Sequence, residues 1–174
     1  MAVGTKQSNV TASLDTALAA VDNGKISATM YVSSDAFEIA AEDIADVNDV
    51  IELTRVPSNA RIHSIVIFSD ELDTHSSPTL ATDCGIYLTD GTVQDADAFG
   101  SAVTTGWGDA AGAGTEFITE AGAAAVANIG KKLWEIVGES TDPNIDYDIN
   151  LRLTAVAATG AAGTLAFVIQ YSLH

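Results

Sequence analysis

The chain is poor in the residues that most often carry chemistry. It has one cysteine, Cys84, so no disulfide can form within it, and maturation in a reducing cytoplasm is the expectation. Aromatic residues make up only 6 %, too few for a row of stacking platforms for sugars or bases. No apolar run approaches the roughly 20 residues that span a bilayer. The opening MAVGTKQSNV has neither the basic start nor the apolar centre of a secretory signal, and Ala2 stands where myristoylation needs glycine, so no membrane route is expected. Basic residues are scarcest: 7 against 24 acidic ones, a formal net charge of −17. A phosphate backbone would be repelled by that field, which excludes DNA or RNA as the main ligand. The acidity reads either as solubility, including in a salty habitat, or as attraction to a basic partner surface.

What is present is apolar sequence, 47 % of 174 residues, enough for one domain with a substantial core and too much for a disordered chain. Residues 1–24 differ from the rest. Leu14, Ala17, Leu18 and Val21 recur at helical spacing after Ser13, and Asn23-Gly24 ends the pattern, so this stretch reads as an N-terminal arm or short helix. From Lys25 the period becomes two: Ile26, Ala28, Met30 and Val32 alternate with smaller or polar residues.

Asp49 to Arg55 and Arg61 to Ser69 read as strands, with Pro57 in the connection because proline cannot donate to a ladder. In the second, Ile62, Val66 and Phe68 are expected on one face and Ile65 and Ile67 on the other, which makes it the candidate central strand with apolar neighbours on both sides. Asp70 to Thr82 reads as a loop, and Asp83 to Thr89 as a strand closed by an Asp90-Gly91 turn. Asp95 to Val103 is expected to be a short helix and Gly106 to Gly114 a flexible loop. ANIGKKLWEIVG places Ile129, Leu133 and Ile136 on one helical face, with Gly138 as its C-cap. Finally, Tyr147, Ile149, Leu151 and Leu153, then Leu165, Phe167, Ile169 and Tyr171, alternate on either side of TGAAG and read as a hairpin. The whole predicts a mainly β fold over residues 25–174: an antiparallel β-sandwich or jelly roll with one or two short helices, preceded by the arm.

No catalytic constellation accompanies this pattern. His63 falls in a strand, His75 in a loop and His174 at the last position, and with one cysteine they supply no zinc spacing. Cys84 beside Gly85 in an apolar strand reads as buried filler. Gly106-Trp107-Gly108-Asp109-Ala110-Ala111 matches a dinucleotide pattern in letters, but no parallel-sheet context precedes it and Asp109 would oppose a phosphate. Trp134 reads as a core anchor. The one acidic cluster to weigh is TDPNIDYDIN, where Asp142, Asn144, Asp146 and Asp148 alternate as calcium ligands do. Tyr147 occupies the sixth position of that run, where an EF-hand needs glycine, and Leu153 the twelfth, where it needs glutamate, so turn and strand-start chemistry is the plainer reading. No catalytic or cofactor-binding residue, and no cofactor, is expected.

The succession IELTRVPSNARIHSIVIFSDEL, DCGIYLTDG, ANIGKKLWEIVG and YDINLRLTAVAATGAAGTLAFVIQYSLH resembles small structural proteins of tailed-phage virions, in particular head decoration (cement) proteins, over roughly residues 48 to 174. That resemblance implies a jelly-roll or β-sandwich module on the capsid exterior, made in the host cytoplasm, bound to the major capsid protein and self-associating, commonly as a trimer, with no catalytic role. The alternative within structural proteins is a phage tail or adaptor component; from other classes, a calcium- or carbohydrate-binding β-sandwich module comes next, and a hydrolase has the least behind it.

Overall fold

A computed structural model describes residues 29–108, 112, 114–118 and 128–173. The arm expected over residues 1–24, Ile26 and Ala28 of the first expected strand, and His174 lie outside the described residues. Among the described residues there are eight strands: β1 (Met30–Ile39), β2 (Val50–Pro57), β3 (Ala60–Ser69), β4 (Ala81–Leu88), β5 (Val93–Val103), β6 (Thr115–Glu116), β7 (Asp146–Ala155) and β8 (Gly163–Leu173). A 3-10 turn covers Ala41–Ile44 and one helical turn, α1, covers Leu133–Ile136. No helix among the described residues is long and apolar enough to cross a membrane.

Two four-stranded antiparallel sheets form, sheet A in the order β1-β8-β3-β6 and sheet B in the order β2-β7-β4-β5. First pairs with last, second with seventh, third with sixth and fourth with fifth, as when one long hairpin is rolled up on itself. This is the jelly roll, one of the two outcomes the alternating strands predict. It also corrects the closing hairpin. β7 and β8 are consecutive, but β7 pairs with β2 and β4 while β8 pairs with β1 and β3, so the chain crosses from one sheet to the other between them. Alternation dictates which face of a strand is buried; it says nothing about the neighbour.

The inner faces meet as expected from that alternation. Leu165, Phe167 and Ile169 of β8 pack with Ile62, Ile65 and Ile67 of β3 against Ile149, Leu151 and Leu153 of β7 and Cys84 and Ile86 of β4, all buried. A one-residue slip of β8 would exchange Leu165, Phe167 and Ile169 for Ala166 and Val168. At about 2 kcal/mol per large side chain, that would cost much of a typical domain's stability.

Other expectations are revised by local geometry. A bulge between Ile62 and Ser64 resets the phase of β3, so Ile62 joins Ile65 and Ile67 in the core while Val66 and Phe68 face outward without a second apolar layer. Asp95 to Val103 belongs to β5, not to a helix: its register against β4 jumps from Gly100 opposite Cys84 to Asp95 opposite Ile86, and the extra residues obscure any period of two. Pro57 ends β2 instead of standing in the connection. The helix predicted from Ile129 is only α1, because Gly130 at φ 76° breaks the chain before it and leaves Ile129 72 % exposed. Its end is as predicted. Gly138 takes φ 87°, a conformation costly for other residues, and the Glu139 N–H returns to the Trp134 carbonyl at 3.0 Å. The Asp90-Gly91 turn also forms, with Gly91 at φ 86° and its N–H on the Leu88 carbonyl.

Candidate interaction surface

The residues singled out for chemistry are dispersed and engaged structurally. Cys84 is fully buried, and burial, with Asp83 beside it, pushes its thiol far above the usual range. His63 sits in the β3 bulge with Nε2 2.8 Å from Ser172 Oγ; partial burial and the nearby Arg61 lower its pKa. His75 Nδ1 lies 3.0 Å from the Ser77 carbonyl oxygen. Trp107 is buried, donates from Nε1 to the Val103 carbonyl and meets Phe117 edge-on at 6.3 Å. Trp134 packs against the core from α1.

The acidic run 142–148 is drawn into separate tasks. Asp142 Oδ1 accepts the Ser58 hydroxyl at 2.5 Å and the Asn144 N–H at 2.9 Å, contacts that hold its carboxyl below the usual range. Asp148 takes a bidentate pair from Arg55 at 2.6 and 2.9 Å. Asn144 is at φ 53° in the turn, and Asp146 opens β7. Among the described residues no three His, Cys, Asp or Glu side chains gather into a metal-holding group.

A buried polar layer lies on the outer side of sheet B. Register sets Asp83 opposite Arg152, Gly85 opposite Asn150 and Tyr87 opposite Asp148. Arg152 Nη2 pairs with Asp83 Oδ2 at 2.6 Å, and the other carboxylate oxygen accepts the Ala102 N–H at 2.8 Å. The wide bulge of β5 passes over this layer. An added Cβ on Gly85 would stand 2.3 Å from the carbonyl oxygens of Ala96 and Asp95. Beneath it the Tyr87 hydroxyl and Asn150 Oδ1 are buried without a hydrogen-bond partner, and burial raises the Tyr87 pKa.

Two exposed features differ in charge. At one side of the sandwich, where β1 and β2 are the edge strands, an open cleft of about 390 Å³ is bordered by Glu38, Glu42, Asp43, Asp49 and Glu52 with no basic side chain among its lining residues. The outer face of sheet A is the opposite. Register aligns Val32, Gln170 and Ser64 in one row, Ser34, Val168 and Val66 in the next, and Ala36, Ala166 and Phe68 in the third. None of these nine positions is ionisable, in a chain with a net charge of −17. Val32 is 60 % and Phe68 37 % exposed, while Val168 at the centre is half-buried by its neighbours. Gly114 closes one border, since a Cβ there would stand 2.6 Å from Phe68 Cε1 and 2.7 Å from Val66 Cγ1. The carboxylates at the margins are occupied: Glu116 accepts from Ser64 Oγ and the Ile65 N–H, and Glu38 from Thr164 Oγ1. Sequence reasoning missed this grid, because the outward halves of three strands become one surface only when register aligns them.

No family model matches the chain, and no curated protein matches it. Among solved structures, a chain in the capsid of Ralstonia phage GP4 is similar over 83 % of this chain and 85 % of its own, at 23 % identity and TM-score 0.58. A chain in the capsid asymmetric unit of cyanophage Pam1 is similar over 93 % of this chain and 96 % of its own, at 20 % identity and TM-score 0.59. At such identities the likeness is one of fold.

Proposed function

We propose that this chain is a non-enzymatic structural protein of a tailed-phage virion, a decoration (cement) protein that binds the major capsid protein on the outer surface of the shell and stabilises it. The observation that carries the reading is the fold likeness to two phage-capsid chains, which spans more than four-fifths of this chain and of each neighbour. A cement protein needs many modest contacts repeated over a lattice, and stabilises the assembled shell by binding it in preference to free subunits. Such a role calls for surfaces instead of a pocket, and this sandwich offers two: an acidic border suited to a basic shell surface, and a flat uncharged sheet face. Self-association as a homotrimer and synthesis in the host cytoplasm complete the proposal, together with an arm, residues 1–24, that reaches a neighbouring subunit.

The test is co-sedimentation of the full chain with expanded empty shells of its phage, at low and high salt. Saturable pelleting with the shells, weakened by salt, is the expected result; a protein that stays in the supernatant at every salt concentration overturns the reading. A version lacking residues 1–24 that pellets with unchanged affinity would remove the arm from the proposal.

A further inference from the structure

We infer that the uncharged grid on the outer face of sheet A is the surface through which one copy of this chain meets another; the inference rests on the self-association in the preceding reading and names its location. Charge carries the argument. Two copies of a chain with net charge −17 repel over distances comparable to the screening length, so the contacts of low electrostatic cost set uncharged surface against uncharged surface. The grid is such a surface; the carboxylates nearest it are Glu38 at its β1 margin, bonded to Thr164, and Glu116 beside Val66, drawn toward Ser64 and the Ile65 N–H, and both stay charged at its rim.

Side-chain chemistry suits a self-contact. Val66, Ala166 and Val168 lose little rotamer freedom on burial, and the Ser34 hydroxyl and Gln170 amide each carry donor and acceptor, so an identical surface can satisfy them. Three strands about 4.8 Å apart and five residues long give a footprint of roughly 250 Å². A stable interface needs about 800 Å² per partner, so contact through the grid alone is weak and becomes effective where copies are held side by side.

Sedimentation velocity of the full chain over a range of concentrations, at low and high salt, tests this. The expected result is concentration-dependent association that strengthens with salt, because screening removes long-range repulsion while the neutral contact is unaffected. Val168→Glu at the grid centre is expected to weaken association tenfold or more, with near-UV circular dichroism and melting temperature retained because the residue points away from the core. Ser34→Glu, in the same row on the edge strand, repeats the test should Val168→Glu not fold, and Glu52→Gln in the acidic cleft leaves association intact. A chain that is monomeric under all conditions, or an oligomer indifferent to both glutamates, overturns the inference. So does a variant whose mass is unchanged but whose shell binding is lost, since the shell would then cover the grid. Oligomers that ignore shells would overturn the virion reading and leave this inference standing.

Discussion

The Asp73 carboxylate accepts the backbone N–H of Thr159 at 3.0 Å, joining the β3–β4 connection to the β7–β8 connection across 86 positions of chain. The same carboxylate takes the N–H groups of Thr79, Leu80 and Ala158 at 2.7 to 3.1 Å, and Asp73 pairs with Gly160 in an isolated antiparallel bridge. One buried side chain thus satisfies the backbone of two loops where the chain changes sheets.

Replacement of Asp73 should be severe. Asp73→Ala leaves the buried Leu80 N–H and three partly buried backbone donors without their acceptor, a loss of about 2–3 kcal/mol, and Asp73→Asn loses somewhat less because its amide keeps one accepting oxygen. Burial alone would raise the Asp73 carboxyl, but the backbone donors Thr159, Thr79, Ala158 and Leu80 together hold it well below the usual range. Its folded pKa is therefore depressed, so its contribution is fully present above the unfolded value near pH 4 and is lost as pH falls below it. Urea titrations at neutral and acidic pH check both points: the difference between wild type and Asp73→Asn should shrink with acidification.

Cys84 offers a probe of opening. Its thiol is fully buried and pushed upward by burial, so the native chain should react negligibly with a thiol reagent at neutral pH. Labelling in increasing urea should follow the unfolding transition. Rapid labelling without denaturant would mean that β4 opens locally.

Much of the fold is legible in the sequence, and the gaps have identifiable causes. Strict alternation in Tyr147–Leu153 and Leu165–Tyr171 gives the inward faces of β7 and β8, because burial on one side of a strand imposes period two. Partner choice is not written in that period; it follows from the rolled topology, with Asp73 fastening the connection between the two strands. At β5 the bulge between Gly100 and Asp95 erases alternation, leaving VQDADAFGSAV with no strong signal for either state. His63 hides a second bulge, which is why Ile62 changes sides. The acidic run is legible as turn chemistry at Asp142, whereas the pairing of Asp148 with Arg55, 93 positions away, is not. Nor is the neutral grid, since Ser34, Val66 and Val168 each look like the ordinary outward residue of a strand.

Arg152 is the next test, because its partner is more deeply buried than it is. The side chains are 29 % and 6 % exposed for Arg152 and Asp83. Arg152→Met retains most of the stem's packing but strands the Asp83 carboxylate, so a loss of about 2 kcal/mol is expected after allowance for solvent at the guanidinium. Asp83 also holds the N–H of Ala102, which stands at φ 48°. Asp83→Asn in the Arg152→Met background should therefore recover part of the loss by removing the unpaired charge while keeping an acceptor for Ala102. A double-mutant cycle by chemical denaturation measures this coupling.

Gly85→Ala isolates the packing of β5 over sheet B. Gly85 is not among the residues at positive φ, so alanine meets no backbone penalty, and any effect comes from the 2.3 Å approach of the Ala96 and Asp95 carbonyl oxygens to the new methyl. Backbone cannot swing aside as a flexible side chain can, so the bulge must lift off the sheet. Lifting it would open the layer that buries Tyr87 and Asn150, and a loss of about 2–3 kcal/mol follows from overpacking together with altered hydration of those groups. Hydrogen exchange separates this from general destabilisation. Amides of β4 and β5 should lose protection while those of β1 and β8, in the other sheet, keep theirs relative to the global stability. Equal loss in both sheets would show that β5 and the rest of the sandwich unfold as one unit.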